Sequence, residues 1–308
     1  MADFKKLIQQ NKDEMVACAQ DLIRIKSVQE APEEGMPFGK GMNDALEYVL
    51  AKATDMGFVT RNLDGYCGYA ELGEGDTYIG LLGHVDIYGD ESYAWKYGLY
   101  DATLEDGKIY GNGALDKGGL VTLLYAFRAV KESGVPLKKK VRLIIGTDEG
   151  KRYTDIRKYL SEEKPPLAGF TADGYFPVVY AEKGLSAFDY EIEIPQEDDE
   201  RIEYIHGGIS ENIVPGYCCA KLVTDRKEEI VATMRSFISE KRVDITAKML
   251  DDGILLESYG VEYHCMAIER GENSIMQLID FLVSIGFGSE AMQEVLRFLN
   301  EKIGSEIY

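Results

Sequence analysis

The chain has 308 residues, of which 45% are hydrophobic and 29% charged, and its formal net charge is −20. This length can bury a substantial core and suffices for two domains, and the composition is that of a globular protein. So acidic a balance argues against nucleic acid or an anionic membrane as a partner, because both repel negative charge. No stretch approaches the ~20 apolar residues that a membrane span needs.

The five cysteines predict a reducing compartment. Their number is odd and none forms a C-x-x-C pair, so we expect free thiols rather than a disulfide scaffold. The N-terminal segment reads as an amphipathic helix that contains acidic residues throughout, which is untypical of a signal peptide. We therefore expect a cytoplasmic protein.

The first part of the chain alternates between helical and strand patterns. Helices are predicted over residues 3–27, from an N-cap at Asn43 to Gly57, and over a segment that ends at Gly134; strands are predicted to end at His84 and Gly146. Residues 87–113 read as a long irregular segment. This alternation predicts an α/β domain over residues 1–185, with a mostly parallel sheet and flanking helices.

The pattern changes after this point. Apolar residues alternate with polar ones over residues 188–194, which predicts a half-exposed strand, and residues 196–201 read as an acidic turn. A strand over 218–223 precedes a helix, and two further helices have Asn273 and Ser289 as predicted N-caps. We therefore predict a second, α+β domain over residues 186–308.

A Gly-His-Val-Asp tetrapeptide follows the apolar run that ends at Leu82. It places His84 at the carboxyl end of a predicted strand, where α/β sheets carry their functional groups. Asp86 shares a face with His84 in an extended chain and can orient the imidazole from behind. Taken alone, such a tetrapeptide is more often structural than metal-binding.

Three acidic residues follow other predicted elements of the same sheet. Asp116 lies in a glycine-rich turn before a helix, Glu149 follows a buried strand, and Asp173 follows another. Each alone is more often a helix cap or a turn residue than a functional group. Together with His84 they form a set of nitrogen and oxygen donors that suits Zn²⁺ or Mn²⁺.

Four motifs in sequence order resemble those of a known family. They are Gly-His-Val-Asp (83–86), Asp-Gly-Lys-Ile-Tyr-Gly-Asn-Gly-Ala-Leu-Asp (106–116), Gly-Thr-Asp-Glu (146–149) and Ala-Asp-Gly-Tyr-Phe-Pro (172–177). As a set they resemble the zinc dipeptidases of the aminoacylase/carnosinase metallopeptidase family, in the branch of bacterial dipeptidase V. Residues 207–215 and 264–273 resemble the lid domain of that family, so the resemblance runs along essentially the whole chain.

The resemblance implies a centre with two metal ions and a bridging water. By position, it implies that His84 and Asp173 hold the first metal and that Asp116 bridges both ions. It implies cleavage of short peptides as the reaction, with a short peptide as the partner.

The resemblance also assigns the remaining roles. Asp86 would orient His84, and Glu149 would be the general base that takes a proton from the water. His264 would stabilise the oxyanion of the tetrahedral intermediate, and Asn212 would contact the substrate.

The chain departs from the family pattern in three places. Gly150 stands where the family has a glutamate that binds the second metal, the turn after Asp116 is one residue shorter, and the chain ends at Tyr308, inside what the family makes the lid. We therefore expect one zinc ion rather than two, with manganese or cobalt as alternatives, and impaired peptidase activity. Missing strands would leave an exposed sheet edge and favour self-association. An inactive descendant that keeps one metal or a peptide, and an aminoacylase, remain alternatives.

Overall fold

The computed structural model describes residues 3–88, 95–174, 177–181, 184, 186 and 188–304, without the side chain of Met266. The chain divides into two compact units, residues 1–182 and residues 183–308. Residues 175 and 176 of the last predicted motif lie outside the described residues.

The first unit is built on a five-stranded sheet with helices packed against it. Its helices are α1 (Phe4–Gln10), α2 (Lys12–Arg24), α3 (Lys40–Asp55), α4 (Ala114–Glu132) and α5 (Thr154–Glu162). Its strands are β1 (Val59–Leu63), β2 (Cys67–Leu72), β3 (Tyr78–His84), β4 (Thr103–Glu105), β5 (Lys108–Tyr110), β6 (Lys140–Gly146) and β7 (Ala168–Thr171), of which β4 and β5 form a separate hairpin. The sheet order is β1-β2-β6-β3-β7. Only β2 runs against the other four strands, so the sheet is mostly parallel, as predicted.

Apolar stripes on α2, α3 and α4 cover the core face of this sheet. Leu120, Leu123 and Leu124 of α4 are buried, and the Phe127 ring stacks on Phe58 with centroids 4.2 Å apart. Burying a side chain of this size contributes about 1.5–3 kcal/mol. Packing of this stripe therefore fixes α4, and with it the first turn of the helix, against the end of β3.

The opposite face of the sheet carries a buried guanidinium. Arg142 of β6 is 4% exposed and lies 3.7 Å from the Tyr69 ring centroid. It donates to a Glu71 carboxylate oxygen at 2.7 Å, to Glu163 at 2.8 Å and to the Tyr159 hydroxyl at 2.8 Å. These acceptors compensate for the removal of the charge from water, so their loss would leave a costly unpaired cation.

Two predicted helix boundaries in the first unit are wrong. The single helix expected over residues 3–27 is broken at Asn11, which separates α1 from α2. Asn43 does not cap α3, because the helix already begins at Lys40 after Gly39, whose φ of 91° suits a glycine. The Asn43 amide already donates to the Gly39 carbonyl in the i to i−4 pattern of a helix interior.

The second unit is an antiparallel sheet with helices on one face. Its strands are β8 (Arg201–Gly207), β9 (Ile213–Val214), β10 (Tyr217–Val223), β11 (Asp244–Leu250), β12 (Gly253–Tyr259) and β13 (Tyr263–His264). Its helices are α6 (Lys227–Lys241), α7 (Ser274–Ser284) and α8 (Glu290–Phe298), with a 3₁₀ segment at Cys265–Arg270 and a π-helical turn at Leu299–Ile303. The main sheet has the order β11-β12-β10-β8, and β9 pairs with β13. An α+β architecture is therefore present, as predicted.

The two predicted N-caps of the second unit are confirmed. The Asn273 side chain accepts from the amides of Ile275 and Met276, and the Ser289 side chain accepts from Met292. These bonds satisfy amide groups that a helix start leaves without partners.

The strand predicted over residues 188–194 is wrong. Among the described residues this segment has no strand partner, and only Ile194 of its apolar side chains packs against the core of the unit. Alternation alone does not make a strand, since its backbone groups also need a neighbour.

The described cysteines are all free, and Cys18, Cys67 and Cys218 are buried. No helix among the described residues is long and apolar enough to cross a membrane. The predicted cytoplasmic location stays a prediction.

Candidate metal centre

His84 is the last residue of β3 and lies buried between two carboxylates. Strands β6 and β7 run parallel to β3 on either side, so the residues that follow each strand emerge at one edge of the sheet. The His84 Nδ1 atom lies 3.1 Å from Asp86 Oδ1, and Nε2 lies 2.9 Å from Asp173 Oδ2. Asp86 therefore holds the ring from behind and turns Nε2 towards Asp173.

The Asp86 carboxylate is itself fixed at both oxygens. It is buried, and Oδ2 accepts a hydrogen bond of 2.9 Å from the Gly150 amide. Burial would raise the pKa of Asp86, but the bond with His84, the charge of His84 and the amide donors outweigh it and lower the pKa. An ionised Asp86 is the partner that selects the ring orientation of a ligating histidine.

Asp116 enters the cluster from the first turn of α4. The turn before it uses Gly113 at φ 77°, and a Cβ there would lie 2.4 Å from the Ile87 side chain. Glycine is therefore required for the close approach that brings Asp116 to the sheet edge. Asp173, two residues beyond β7, completes the group.

The three side chains offer one nitrogen and two carboxylate oxygens. Ligand atoms of His84, Asp116 and Asp173 all lie within 4.8 Å of one another. In the described part of the chain no second group of three His, Cys, Asp or Glu side chains meets this distance. Such a mixed donor set is one that Zn²⁺ and Mn²⁺ accept, so the residues present fit a divalent cation. Whether they act as ligands stays a prediction.

Burial and charge together perturb the titration of this cluster. Burial alone would lower the pKa of His84, but the hydrogen bonds with Asp173 and Asp86 and the charges of Asp86 and Asp116 raise it to about 11. Burial raises the pKa of Asp116, and the charge of Asp173 adds to this while His84 opposes it. The cluster therefore holds a proton tightly on the imidazole when no cation competes for Nε2.

Lys117, directly after Asp116, is a buried cation that sequence reasoning missed. It is 0% exposed, and its Nζ donates to the backbone carbonyls of Leu22 at 3.1 Å and Ile25 at 2.7 Å. Burial lowers its pKa to about 8, against the charges of Asp116 and Asp86. The only signal in the sequence was its place inside the glycine-rich turn.

Glu149 lies at the rim of the cluster. Its Oε2 atom is 4.0 Å from His84 Nε2, and Oε1 accepts a 2.8 Å hydrogen bond from the Tyr153 hydroxyl. The side chain is 40% exposed, so solvent reaches it. This position suits a group that exchanges protons with water near the cluster.

The turn that carries Glu149 is held by a second carboxylate missed in the sequence. Asp155, in the first turn of α5, is buried and accepts from the amides of Thr147 at 2.7 Å and Asp148 at 3.1 Å. Burial raises the pKa of Asp155, while these amide donors oppose the shift. The residue fixes the backbone at the end of β6, where Glu149 begins its turn.

Tyr88 packs directly against Gly150. Its hydroxyl donates to the Gly150 carbonyl, and a Cβ at position 150 would lie 3.0 Å from the Tyr88 Cζ and Oη atoms. Asn112 donates to the Tyr88 backbone carbonyl at 2.7 Å, which holds the backbone at Tyr88. A longer side chain at position 150 therefore has no room while Tyr88 keeps this position.

In the second unit, Asn212 and His264 are neighbours. Strands β9 and β13 pair with Ile213 opposite His264, and the Cys265 amide donates to the Asn212 carbonyl at 2.8 Å. The Asn212 Nδ2 and His264 Nε2 atoms lie 3.3 Å apart, and Ser210 donates to Asn212 Oδ1 at 2.6 Å. The residues predicted for substrate binding and oxyanion stabilisation thus form one polar pair, and their roles stay predictions.

The first unit thus carries a mixed nitrogen and oxygen donor set at the edge of an α/β sheet, with a carboxylate behind the imidazole. Residues 80–271 match the model of peptidase family M20/M25/M40. The chain belongs to this family.

Two curated bacterial relatives agree with this assignment. "Putative dipeptidase YtjP" of Bacillus subtilis is 34% identical over 281 residues, which cover 88% of this chain and 60% of the relative. "Beta-Ala-Xaa dipeptidase" of Lactobacillus delbrueckii subsp. lactis is 29% identical over 314 residues, 99% of this chain and 66% of the relative. The chain thus spans about 60–66% of the length of these relatives.

Among solved structures, human carnosine dipeptidase 1 matches at 15% identity with a TM-score of 0.44, over 94% of this chain and 79% of that chain. This likeness is too weak to carry an argument about the site.

Proposed function

We propose that the chain is a dipeptidase-type metallohydrolase that cleaves short unblocked peptides. The observation that carries this proposal is the convergence of His84, Asp116 and Asp173 within 4.8 Å, with Asp86 behind the imidazole. Two relatives named as dipeptidases support the reaction class. In this proposal the first unit is the catalytic domain and the second unit belongs to the lid.

Each side chain has a role that follows from its position. A divalent cation held by His84, Asp116 and Asp173 would polarise the scissile carbonyl and acidify a water molecule. Asp86 keeps the His84 Nε2 lone pair directed into the cluster. Glu149, at the rim, accepts the proton of the attacking water and returns it to the leaving amine.

Asn212 and His264 are proposed to bind the substrate. As a polar pair they offer an amide N–H and an imidazole N–H, which are the donors that an oxyanion needs. His264 would stabilise the developing negative charge and Asn212 would orient the peptide.

We propose one metal ion per chain rather than two. The family resemblance places a ligand of the second metal at position 150, where this chain has a glycine whose space is taken by Tyr88. Zinc is the proposed ion, with manganese and cobalt as alternatives, because all accept nitrogen and oxygen donors. Turnover would be weak, since a single ion lacks the two-sided clamp on the attacking and leaving oxygens.

The test measures metal content and hydrolysis on the same purified sample. We expect about one ion per chain and slow cleavage of free dipeptides, with N-acetylated amino acids as the comparison that separates an aminoacylase. Glu149→Gln should keep the metal and lose turnover, whereas His84→Ala should lose both. His206→Ala, in the second unit and outside the cluster, is the matched control and should change neither.

Two results would overturn parts of the proposal. Two ions per chain with fast turnover would refute the one-metal centre. Absence of both metal and turnover would refute the enzyme and favour the second candidate, a non-catalytic descendant of the family. The contact between Tyr88 and Gly150 is the observation that favours this second candidate.

The structure does not test the expected cellular location, partners or self-association of the protein. A cytoplasmic location, the lack of nucleic-acid or membrane partners, and self-association through a sheet edge remain predictions from the sequence.

A further inference from the structure

The segment Leu22–Ser27, at the end of α2, forms hydrogen bonds with the turn after His84 and with Lys117, the residue after Asp116. Leu22 and Ser27 are fully buried. We call this segment the brace. Three of its backbone carbonyls and the Ser27 hydroxyl make the contacts described below.

The brace holds the turn of Asp116 through Lys117. The Lys117 Nζ donates to the Leu22 and Ile25 carbonyls, at 3.1 and 2.7 Å. These carbonyls lie at the C-terminal end of α2, where the helix dipole favours a cation, and each also accepts one backbone amide, that of Ile25 for Leu22 and that of Ser27 for Ile25. Lys117 is the residue next to Asp116, so its anchoring limits where the Asp116 carboxylate can go.

The brace holds the turn of His84 through Ser27. The Ser27 hydroxyl donates to the Val85 carbonyl, and the Ser27 carbonyl accepts from the Ile87 amide at 3.1 Å. Val85 lies between His84 and Asp86, so these bonds enclose the turn on both sides of Asp86. One segment, buried at both of its ends, therefore contacts two ligand-bearing turns that are about thirty residues apart in the chain.

We propose that Lys117 and Ser27 are positioning residues that set the spacing between His84 and Asp116 through the brace. This inference rests on the proposed metal centre. The affinity of the centre for a cation depends on the two turns being held at the separation that one ion can bridge. Removing a group that orients ligands in this way typically weakens metal binding by about 10–100-fold.

If Lys117 is removed, its electrostatic effect and its positioning effect should change the affinity for a cation in opposite directions. Its ammonium is close enough to interact with the charges of Asp116 and Asp86. Removing a positive charge from this neighbourhood would by itself strengthen the binding of a cation. A loss of affinity would therefore report lost positioning.

The chain supplies a matched control on the same helix. Lys131, in the last turn of α4, donates from Nζ to the carbonyls of Met56 and Gly57 at the end of α3. It anchors one helix to the end of another as Lys117 does, but it lies at the far end of α4 from the cluster. Lys131→Met thus removes a comparable anchor without touching the candidate ligands.

The experiment compares Lys117→Met with Lys131→Met in the full chain. Binding of Zn²⁺ is measured by calorimetry, and the ligand field of bound Co²⁺ by its visible spectrum. Both variants should lose stability, but only Lys117→Met should weaken Zn²⁺ binding, by about 10–100-fold, and change the Co²⁺ spectrum. Unchanged affinity in Lys117→Met, or an equal loss in Lys131→Met, would overturn the inference.

Hydrogen exchange in the metal-free protein separates this inference from the proposed function. Lys117→Met should speed exchange in residues 84–88 and 113–117, and Lys131→Met should not, whether or not any metal binds. Failure of the wild type to bind metal would refute the proposed function, while unchanged exchange would refute the brace. Should Lys117→Met not fold, Ser27→Ala takes its place in both assays, with faster exchange expected in residues 84–88.

Discussion

Binding of a metal ion to the metal-free protein should release close to one proton per ion at about pH 7.5. The two carboxylates beside His84 raise its pKa to about 11, so the ring is almost fully protonated at this pH. A cation can bind Nε2 only after this proton has left. A histidine with the ordinary pKa of about 6.5 would be only about one-tenth protonated and would release about 0.1 proton.

The same shift sets an energetic cost for binding. The gap between a pKa of about 11 and pH 7.5 corresponds to roughly 5 kcal/mol, or about three thousand-fold in apparent affinity. Affinity should therefore keep rising about tenfold per pH unit well above pH 7, whereas an ordinary histidine would level off there. In the metal-free protein, the protonated pair stabilises the fold fully below about pH 6.5, and this contribution is lost as the pH rises through about 11.

The assay is calorimetry with Mn²⁺ in buffers of different ionisation enthalpy, which counts the protons released. Mn²⁺ is preferred to Zn²⁺ because it lowers the pKa of its bound water less. The protons counted then come from the protein and not from metal-bound water. A release near 0.1 proton, together with affinity that stays flat above pH 7, would refute the protonated ion pair between His84 and Asp173.

Three further predictions concern stability and are checked by urea unfolding. Arg142→Met should lower the free energy of unfolding by about 1.5–3 kcal/mol, because it removes the charge-assisted hydrogen bonds to the half-buried Glu71 and Glu163, which keep only Lys140 and Arg61 as cationic partners; a loss below about 1 kcal/mol would contradict the paired arrangement. Gly150→Ala should cost about 1–3 kcal/mol through contact with the Tyr88 ring, and adding Tyr88→Leu should recover most of it; additive effects would show that the two do not touch. Asp155→Ala should cost about 2–3 kcal/mol by removing the acceptor of three backbone amides, those of Thr147, Asp148 and Ile156, whereas Asp155→Asn, which keeps an acceptor oxygen, should cost less.

Much of the first unit was predictable because its signals are local. The periodic stripe of α4 and the continuous apolar runs of β3 and β6 each identify their own element, and the alternation of helix and strand implies a mostly parallel sheet. The first residue of a helix was harder to predict where it depends on the backbone conformation of the preceding residue. Asn43 has the chemistry of a cap, yet the positive φ of Gly39 starts α3 four residues earlier.

In the second unit, pairing between strands was not visible in the sequence. The segment 188–194 has the alternation of a strand but pairs with no strand in the described part of the chain, while the hairpin of β11 and β12 was not predicted. Whether a segment becomes a strand depends on what lies beside it, and this is tertiary information.

For the site, the motifs located the polar groups but not what holds them. His84, Asp86, Asp116 and Asp173 follow predicted strands or turns, and the structure brings them together. Lys117 could not be predicted as an anchor, because its partners are backbone carbonyls far away in the sequence. Every residue carries a backbone carbonyl, so the sequence of side chains does not show which carbonyls accept a hydrogen bond from Lys117.

The two bonds of Asp86 have a mechanical consequence. One oxygen faces the imidazole of His84 and the other takes the amide of Gly150, so a single rigid carboxylate joins the ring to the backbone that carries Glu149. A shift of that backbone would therefore tilt the imidazole and move Glu149 at the same time. Substitutions after β6 can therefore change the orientation of the His84 ring even when His84, Asp116 and Asp173 are all kept.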